Sequence, residues 1–310
     1  MHRKYLHLKV IPRAVLALLL FVSSVAPLPA DTLSKPPAGK FQPVPEISVD
    51  HLDDDSREQL AAARERVIRA IEGKLPDSEL ADLWGELGAL YHVYSVYRPA
   101  GTCYANALQL APGRFRWVYY AANLAVKTGE METAVERLEA AQKLRPDYLA
   151  VSVRLANAWL DLNELEKAKT AFSQVTDAIG LEAAALDGLG QVAMLERNPA
   201  AAIEYFQRAL AIEPEANRIH YSLAQALRAA GQGDRARQHL AMRGDRLPSI
   251  RDPLIENLEA LKTGANMHFM NGMKAMREQD YTATRDSFAL GLKREPDNND
   301  ARLSYARSLY

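Results

Sequence analysis

Small residues return along this chain at a fixed interval of 34, and that interval constrains the fold more than any other feature. Gly88, Ala122, Ala156, Gly190 and Ala224 make one such series, and Ala100, Ala134, Ala168, Ala202 and Ala236 make a second. Large residues recur in step with them at Tyr104, Leu138, Phe172, Phe206 and Leu240, and a smaller core series runs through Leu87, Ala121, Leu155, Leu189 and Leu223. Each unit then meets Pro112, Pro146, Gly180, Pro214 or Pro248. Proline has no N–H to donate and pushes the preceding residue out of the helical region, so it ends a helix. Breakers at Thr128-Gly129-Glu130, Leu162-Asn163-Glu164, Arg197-Asn198-Pro199 and Ala230-Gly231-Gln232 divide each unit into two helices. The small residues mark where those helices cross. A longer side chain there would force the backbones apart, at a cost of about 1–3 kcal/mol.

Within the first unit, Leu83-Trp84-Gly85-Glu86-Leu87-Gly88-Ala89-Leu90-Tyr91 is followed by Ala100, Tyr104, Ala107 and Pro112. This spacing resembles the signature of the tetratricopeptide repeat. The resemblance implies an all-α fold, a right-handed superhelical solenoid of helix-turn-helix hairpins whose stacked surface binds other proteins. Five units are expected in register over 81–248, at 81–114, 115–148, 149–182, 183–216 and 217–250. A sixth, at 265–298, keeps Gly272, Phe288 and Pro296 but carries Thr284 and Gly291 where alanine is the rule. Residues 299–310 supply the first helix of a truncated seventh unit, with Leu303, Ala306, Leu309 and Tyr310 in core-type positions, so the chain is expected to continue. An inserted helical connector is expected at 249–264. Asp252-Pro253 would start its helix, Leu254, Leu258 and Leu261 would share one face, and Gly264 would close it. It is either a tolerated insertion or a hinge or separate contact site.

The first thirty residues have the layout of an export signal. His2, Arg3, Lys4, Lys9 and Arg13 precede the apolar run Ala14–Val25, and Leu28-Pro29-Ala30 stands before Asp31 as a cleavage point. The run falls short of the roughly 20 apolar residues of a comfortable membrane span. Periplasmic export is expected, with an uncleaved inner-membrane anchor over residues 10–28 as the alternative. Residues 31–50, with Pro36, Pro37, Pro43 and Pro45, are expected to form a stiff, solvated linker. A capping helix is expected over 51–80, opened by a capping box at Ser56 and Gln59 and burying Leu60, Ala63, Val67, Ala70 and Ile71.

The chain carries 38 basic and 39 acidic residues; without the four basic residues of the leader the balance is 34 to 39, or net −5. Nothing in that balance favours nucleic acid or an anionic membrane surface as a partner. Cys103 is the single cysteine, which excludes an internal disulfide and suits a small packing residue.

The resemblance places the binding groove along the first helix of each hairpin. There Asn123, Asn157, Gln191 and Gln225 recur at the 34-residue interval as a row of carboxamides. An amide both donates and accepts, which suits the backbone of an extended peptide. Val126, Leu160 and Met194 form an apolar strip beside them, Tyr119 and Tyr221 add aromatic surface, and Arg116, Arg218 and Arg228 add charge at the two ends. Relatives that grip a terminal carboxylate use a lysine and asparagine set. Here Tyr119 replaces the first lysine and Arg154 the second asparagine, so that set is not assembled. The glycosyltransferase arms of the family carry an asparagine row where this chain has Tyr120, Arg154, Gly188 and Ser222.

No catalytic constellation is legible. His92, His220, His239 and His268 fall at unrelated phases without the H-E-x-x-H spacing, and there is neither a haem motif nor a phosphate loop. The expectation is a non-catalytic scaffold without cofactor or metal, holding an extended segment of a cell-envelope protein. The alternatives are an accessory arm of a larger enzyme (a glycosyltransferase or an envelope redox protein) whose catalytic part follows residue 310, and self-association through apolar solenoid ends.

Overall fold

A computed structural model of the protein describes residues 33–34, 40–262 and 264–309. The leader, with its anchor alternative, lies outside the described residues, as does Tyr310. Among the described residues there are fifteen helices and no strand. Helix α1 (Asp54–Glu72) precedes five hairpins: α2 (Asp77–Val93) with α3 (Tyr97–Leu110), α4 (Phe115–Thr128) with α5 (Met131–Leu144), α6 (Ala150–Asp161) with α7 (Leu165–Ser173), α8 (Glu182–Leu195) with α9 (Pro199–Ile212), and α10 (Ile219–Ala229) with α11 (Gly233–Ala241). The short α12 (Pro253–Glu259) follows, then a sixth hairpin of α13 (Gly264–Arg277) and α14 (Tyr281–Arg294), and α15 (Asn299–Arg307). From α3 to α9 each second helix packs on the next first helix, as α14 does on α15, while α2 touches α4, α6 touches α8 and α8 touches α10. The result is an α-solenoid with its first helices along one face.

The hairpin turn is the same six times. Ser95, Gly129, Asn163, Arg197, Gly231 and Gln279 all have positive φ, from 58° to 79°. The amide of the next residue returns to a carbonyl five positions back, as in Glu130 to Ala125 at 2.9 Å and Asn198 to Ala193 at 2.8 Å. This closure satisfies carbonyls that the end of the first helix would leave orphaned. The crossing residues explain the small-residue series. A methyl group placed on Gly88, Gly190 or Gly272 would sit 2.9, 2.5 or 2.8 Å from the ring of Tyr104, Phe206 or Phe288 in the same hairpin. Between neighbours, Gly85 makes room for Trp117 and Gly188 for Phe172. Trp84, Tyr104, Phe172 and Phe206 are fully buried along this seam.

Several local expectations are corrected. The Pro-rich segment is solvated only in part: Gln42, Pro43, Glu46 and Ile47 are exposed, but Leu33, Phe41 and Val44 are buried, and the Phe41 ring centroid lies 5.6 Å from that of Trp84. Asn106 on α3 holds this strap by its backbone. It accepts from the Gln42 amide at 2.8 Å and donates to the Gln42 carbonyl at 3.0 Å. Helix α1 is capped by Asp53, which accepts from the Ser56 amide at 2.8 Å, rather than by Ser56, which is buried inside the first turn. Gly264 opens α13 instead of closing α12, which ends at Glu259 with Ala260 as its C-cap. The sixth hairpin does not extend the stack from α11. It sits against α1, with Arg294 Nε 3.0 Å from Asp55 Oδ2.

Candidate functional site

The connector accounts for that break in the stack. After α11 the chain crosses back to the first-helix face, where the Arg251 amide donates to the Gly180 carbonyl at 3.1 Å. Asp252, only 2% exposed, enters a polar pocket between α4 and α6. Its Oδ2 accepts from the Tyr119 hydroxyl at 2.6 Å and from Arg154 Nε and Nη2, each at 2.8 Å. Its Oδ1 accepts from the Tyr148 hydroxyl at 2.7 Å and caps α12 through the Ile255 amide at 3.3 Å. Burial pushes the hydroxyls of Tyr119 and Tyr148 above their usual range, so both remain donors. Further along, Tyr120 donates to the Leu254 carbonyl at 2.8 Å and Gln59 to the Leu261 carbonyl at 3.2 Å. Leu258 is fully buried, Leu254, Ile255 and Leu261 pack on the core built by α1 to α6, and Lys127 faces Glu259 at 3.6 Å.

The row of candidate groove residues is thereby divided. Tyr119 is not open aromatic surface: it is fully buried, because its hydroxyl is drawn into the Asp252 pocket. Asn123 is 5% exposed, and its Oδ1 has no hydrogen-bond partner among the described residues. Asn157, Val126 and Leu160 are half-buried. Arg116 is exposed and lies 5.0 Å above the Trp117 ring, beside a cavity of about 310 Å³ at α2, α4 and α12. Arg228 is exposed on α10.

The structure does bring the remaining five together. Gln191, Met194, Arg218, Tyr221 and Gln225 line one cavity of about 420 Å³ between α8 and α10, closed on one side by Leu247 and Pro248. Tyr221, Leu195 and Leu247 are half or more exposed there. Beneath them lies Asp187, 8% exposed and held by the Gln191 amide at 2.8 Å. Burial raises its carboxyl to about 6, against the opposing pull of Gln191 and Arg218. Sequence reasoning passed over Asp187, although a lone carboxylate within Leu186-Asp187-Gly188-Leu189 was a usable signal. Asp252 was read only as a cap and Arg154 only as a misfit, since nothing local ties the two together.

Two other groups behave as packing elements. Cys103 is fully buried against Gly88, and burial pushes its thiol far above the usual range. His220 and His239, read as unrelated in sequence, meet across the fifth hairpin with their Nδ1 atoms 3.0 Å apart. Among the described residues no group of three or more metal-binding side chains assembles, and no helix is long and apolar enough to cross a membrane.

A tetratricopeptide repeat family model matches residues 125–190 and 193–261. No curated protein matches the chain by sequence. Among solved structures, a tetratricopeptide repeat protein from Parabacteroides merdae superposes with a TM-score of 0.52 at 14% identity, over 83% of this chain and 94% of that one. MamA from Desulfovibrio magneticus gives a TM-score of 0.49 at 17% identity over 59% and 97% of the two chains. PilF of Pseudomonas aeruginosa gives 0.46 at 17% identity over 74% and 97%. The first of these likenesses is one of fold.

Proposed function

We propose that this chain, matched by a tetratricopeptide repeat family model over 125–190 and 193–261, is a non-catalytic scaffold that holds an extended peptide segment of another protein against α8 and α10. The observation that carries this reading is the convergence of Gln191, Met194, Arg218, Tyr221 and Gln225 on one open cavity. An apolar ligand side chain fits between Met194, Tyr221 and Leu247. Gln225 supplies a donor and an acceptor to the ligand backbone, and Arg218 a charge-assisted donor to a carbonyl or carboxylate. Gln191 supports the site from beneath, since its amide is committed to Asp187. A few polar groups fixing the orientation of an otherwise apolar contact is the usual composition of such sites. The leader read from residues 1–30 is the support for a cell-envelope partner and a periplasmic location.

The test is a photo-reactive amino acid placed at Gln225 in the native host, with captured partners identified by mass spectrometry. The double variant Met194→Glu with Tyr221→Ala should cut recovery of the captured partner about tenfold or more, as expected for loss of at least about 1.4 kcal/mol of binding. A partner recovered equally well by that variant would remove the cavity from consideration. Fractionation and N-terminal sequencing of the mature protein test the location.

A further inference from the structure

We propose that residues 249–262 are a built-in, displaceable ligand, and that the face of α2, α4 and α6 beneath them is a second peptide site, selective for a segment led by Asp-Pro and followed by aliphatic residues. This site is separate from the cavity at α8 and α10, so either can fail without the other.

The pocket supplies four protein donor contacts to one carboxylate, from Tyr119, Tyr148 and twice from Arg154. A buried carboxylate is tolerated only when paired and fully hydrogen-bonded, so these groups are complementary to an aspartate side chain. The same pocket reads the start of a helix: the Tyr148 hydroxyl also accepts from the Leu254 amide at 3.0 Å, and Tyr120 takes the Leu254 carbonyl. Further along, Leu258 enters the core and Lys127 faces a second carboxylate, that of Glu259.

The segment is held as a ligand is held. Only Asp252 and Leu258 are fully buried; Arg251, Pro253, Glu256, Asn257 and Ala260 are exposed. Helix α12 has seven residues, well below the roughly 12–15 at which an isolated helix begins to be stable. Its conformation therefore comes from the pocket. A tethered segment competes with an effective concentration of millimolar order, so the intact chain binds an outside copy weakly, and releasing the tethered copy uncovers the site.

The test uses the full chain and a fluorescent peptide with the sequence of residues 249–262. In the variant Asp252→Ala with Leu258→Ala, anisotropy should report peptide binding about tenfold or more tighter than to the unaltered chain. Adding Arg154→Met to that variant, or Asp252→Asn to the peptide, should abolish the gain. A folded double variant that binds the peptide no better than the unaltered chain overturns the proposal. Should the variant not fold, hydrogen exchange of the unaltered chain decides. Millimolar peptide should accelerate exchange of the Arg251 and Leu254 amides about tenfold, while α4 and α6 stay protected. Unchanged exchange of those two amides identifies the connector as a permanent brace.

Discussion

Arg197 and Gly231 stand one repeat apart in the same left-handed backbone conformation, with φ of 58° and 76°. The hairpin turn demands that conformation whichever residue occupies it. For a residue with a Cβ the left-handed region costs roughly 1 kcal/mol, a cost that glycine avoids. Arg197→Gly should therefore leave stability unchanged or raise it, by up to about 1 kcal/mol, although it deletes a long side chain. Gly231→Val should lower it by more than that. Urea unfolding midpoints of the two variants check both signs, and a destabilised Arg197→Gly would mean that the arginine side chain matters more than its backbone.

At the crossings the preference for glycine reverses the usual rule. Replacing glycine by alanine inside a helix ordinarily gains about 1 kcal/mol. At Gly188 the added methyl would fall 2.3 Å from the buried Phe172 ring, which has no room to retreat. Gly188→Ala should destabilise by about 1–3 kcal/mol. Gly113, whose added methyl would meet nothing within 4 Å, is the control, and alanine there should change stability by less than about 0.5 kcal/mol. Equal effects at the two sites would refute the packing account.

Two carboxamides of α3, Asn106 and Gln109, hold the backbone of the strap over α2 and α3. Asn106 is fully buried and makes both of its bonds to the backbone of Gln42, an exposed residue, so removing it costs the strap two part-buried hydrogen bonds. Asn106→Ala should cost about 1–3 kcal/mol, at about 0.5–1.5 kcal/mol for each hydrogen bond lost. Limited proteolysis should then cut near Gln42 before any other site. Asn106→Asp should lose only the donation to the Gln42 carbonyl, and fall between the two.

Two buried titratable groups set opposing acid dependences. Burial lowers His92 to about 4, with Lys127 adding to the shift, and the His92 Nε2 has no partner among the described residues. Its folded value lies below the unfolded one near 6.5, so the unfolded chain takes the proton first. The stability that depends on neutral His92 is complete above about pH 6.5 and is lost as pH falls toward 4, by at most about 3 kcal/mol. Asp187 runs the other way, because burial raises it to about 6. Its contribution is complete below about pH 4 and is lost as pH rises through 6. Unfolding midpoints between pH 4 and 7 should thus fall more steeply with acid in Asp187→Asn and less steeply in His92→Gln. Parallel profiles for all three proteins would contradict the assignment.

How much was legible followed the range of the contacts. Gly88 against Tyr104 and Gly190 against Phe206 lie within one hairpin and recur each 34 residues, so the same steric demand wrote the same residue types repeatedly. Leu33, Phe41 and Val44 form no such series. Spread among prolines they read as linker, and the strap shows only through distant partners such as Asn106, 64 residues from Gln42. The carboxamide logic proposed for the groove row also operates at Asn106, within the chain itself. Within the row itself, Gln191 and Gln225 reach one open cavity, while Asn123 is buried.

The amino-acid sequence alone determined the helical hairpins, their turns and the seam of small against large residues, because those interactions are local and repeated. It could not place the connector. Asp252 and Arg154 are 98 residues apart, and no periodic pattern joins them. Their meeting depends on the summed curvature of the hairpins between them, which brings one stretch of chain over the face of another. The tertiary structure alone therefore decided which part of that face the protein covers with its own residues and which part it leaves open.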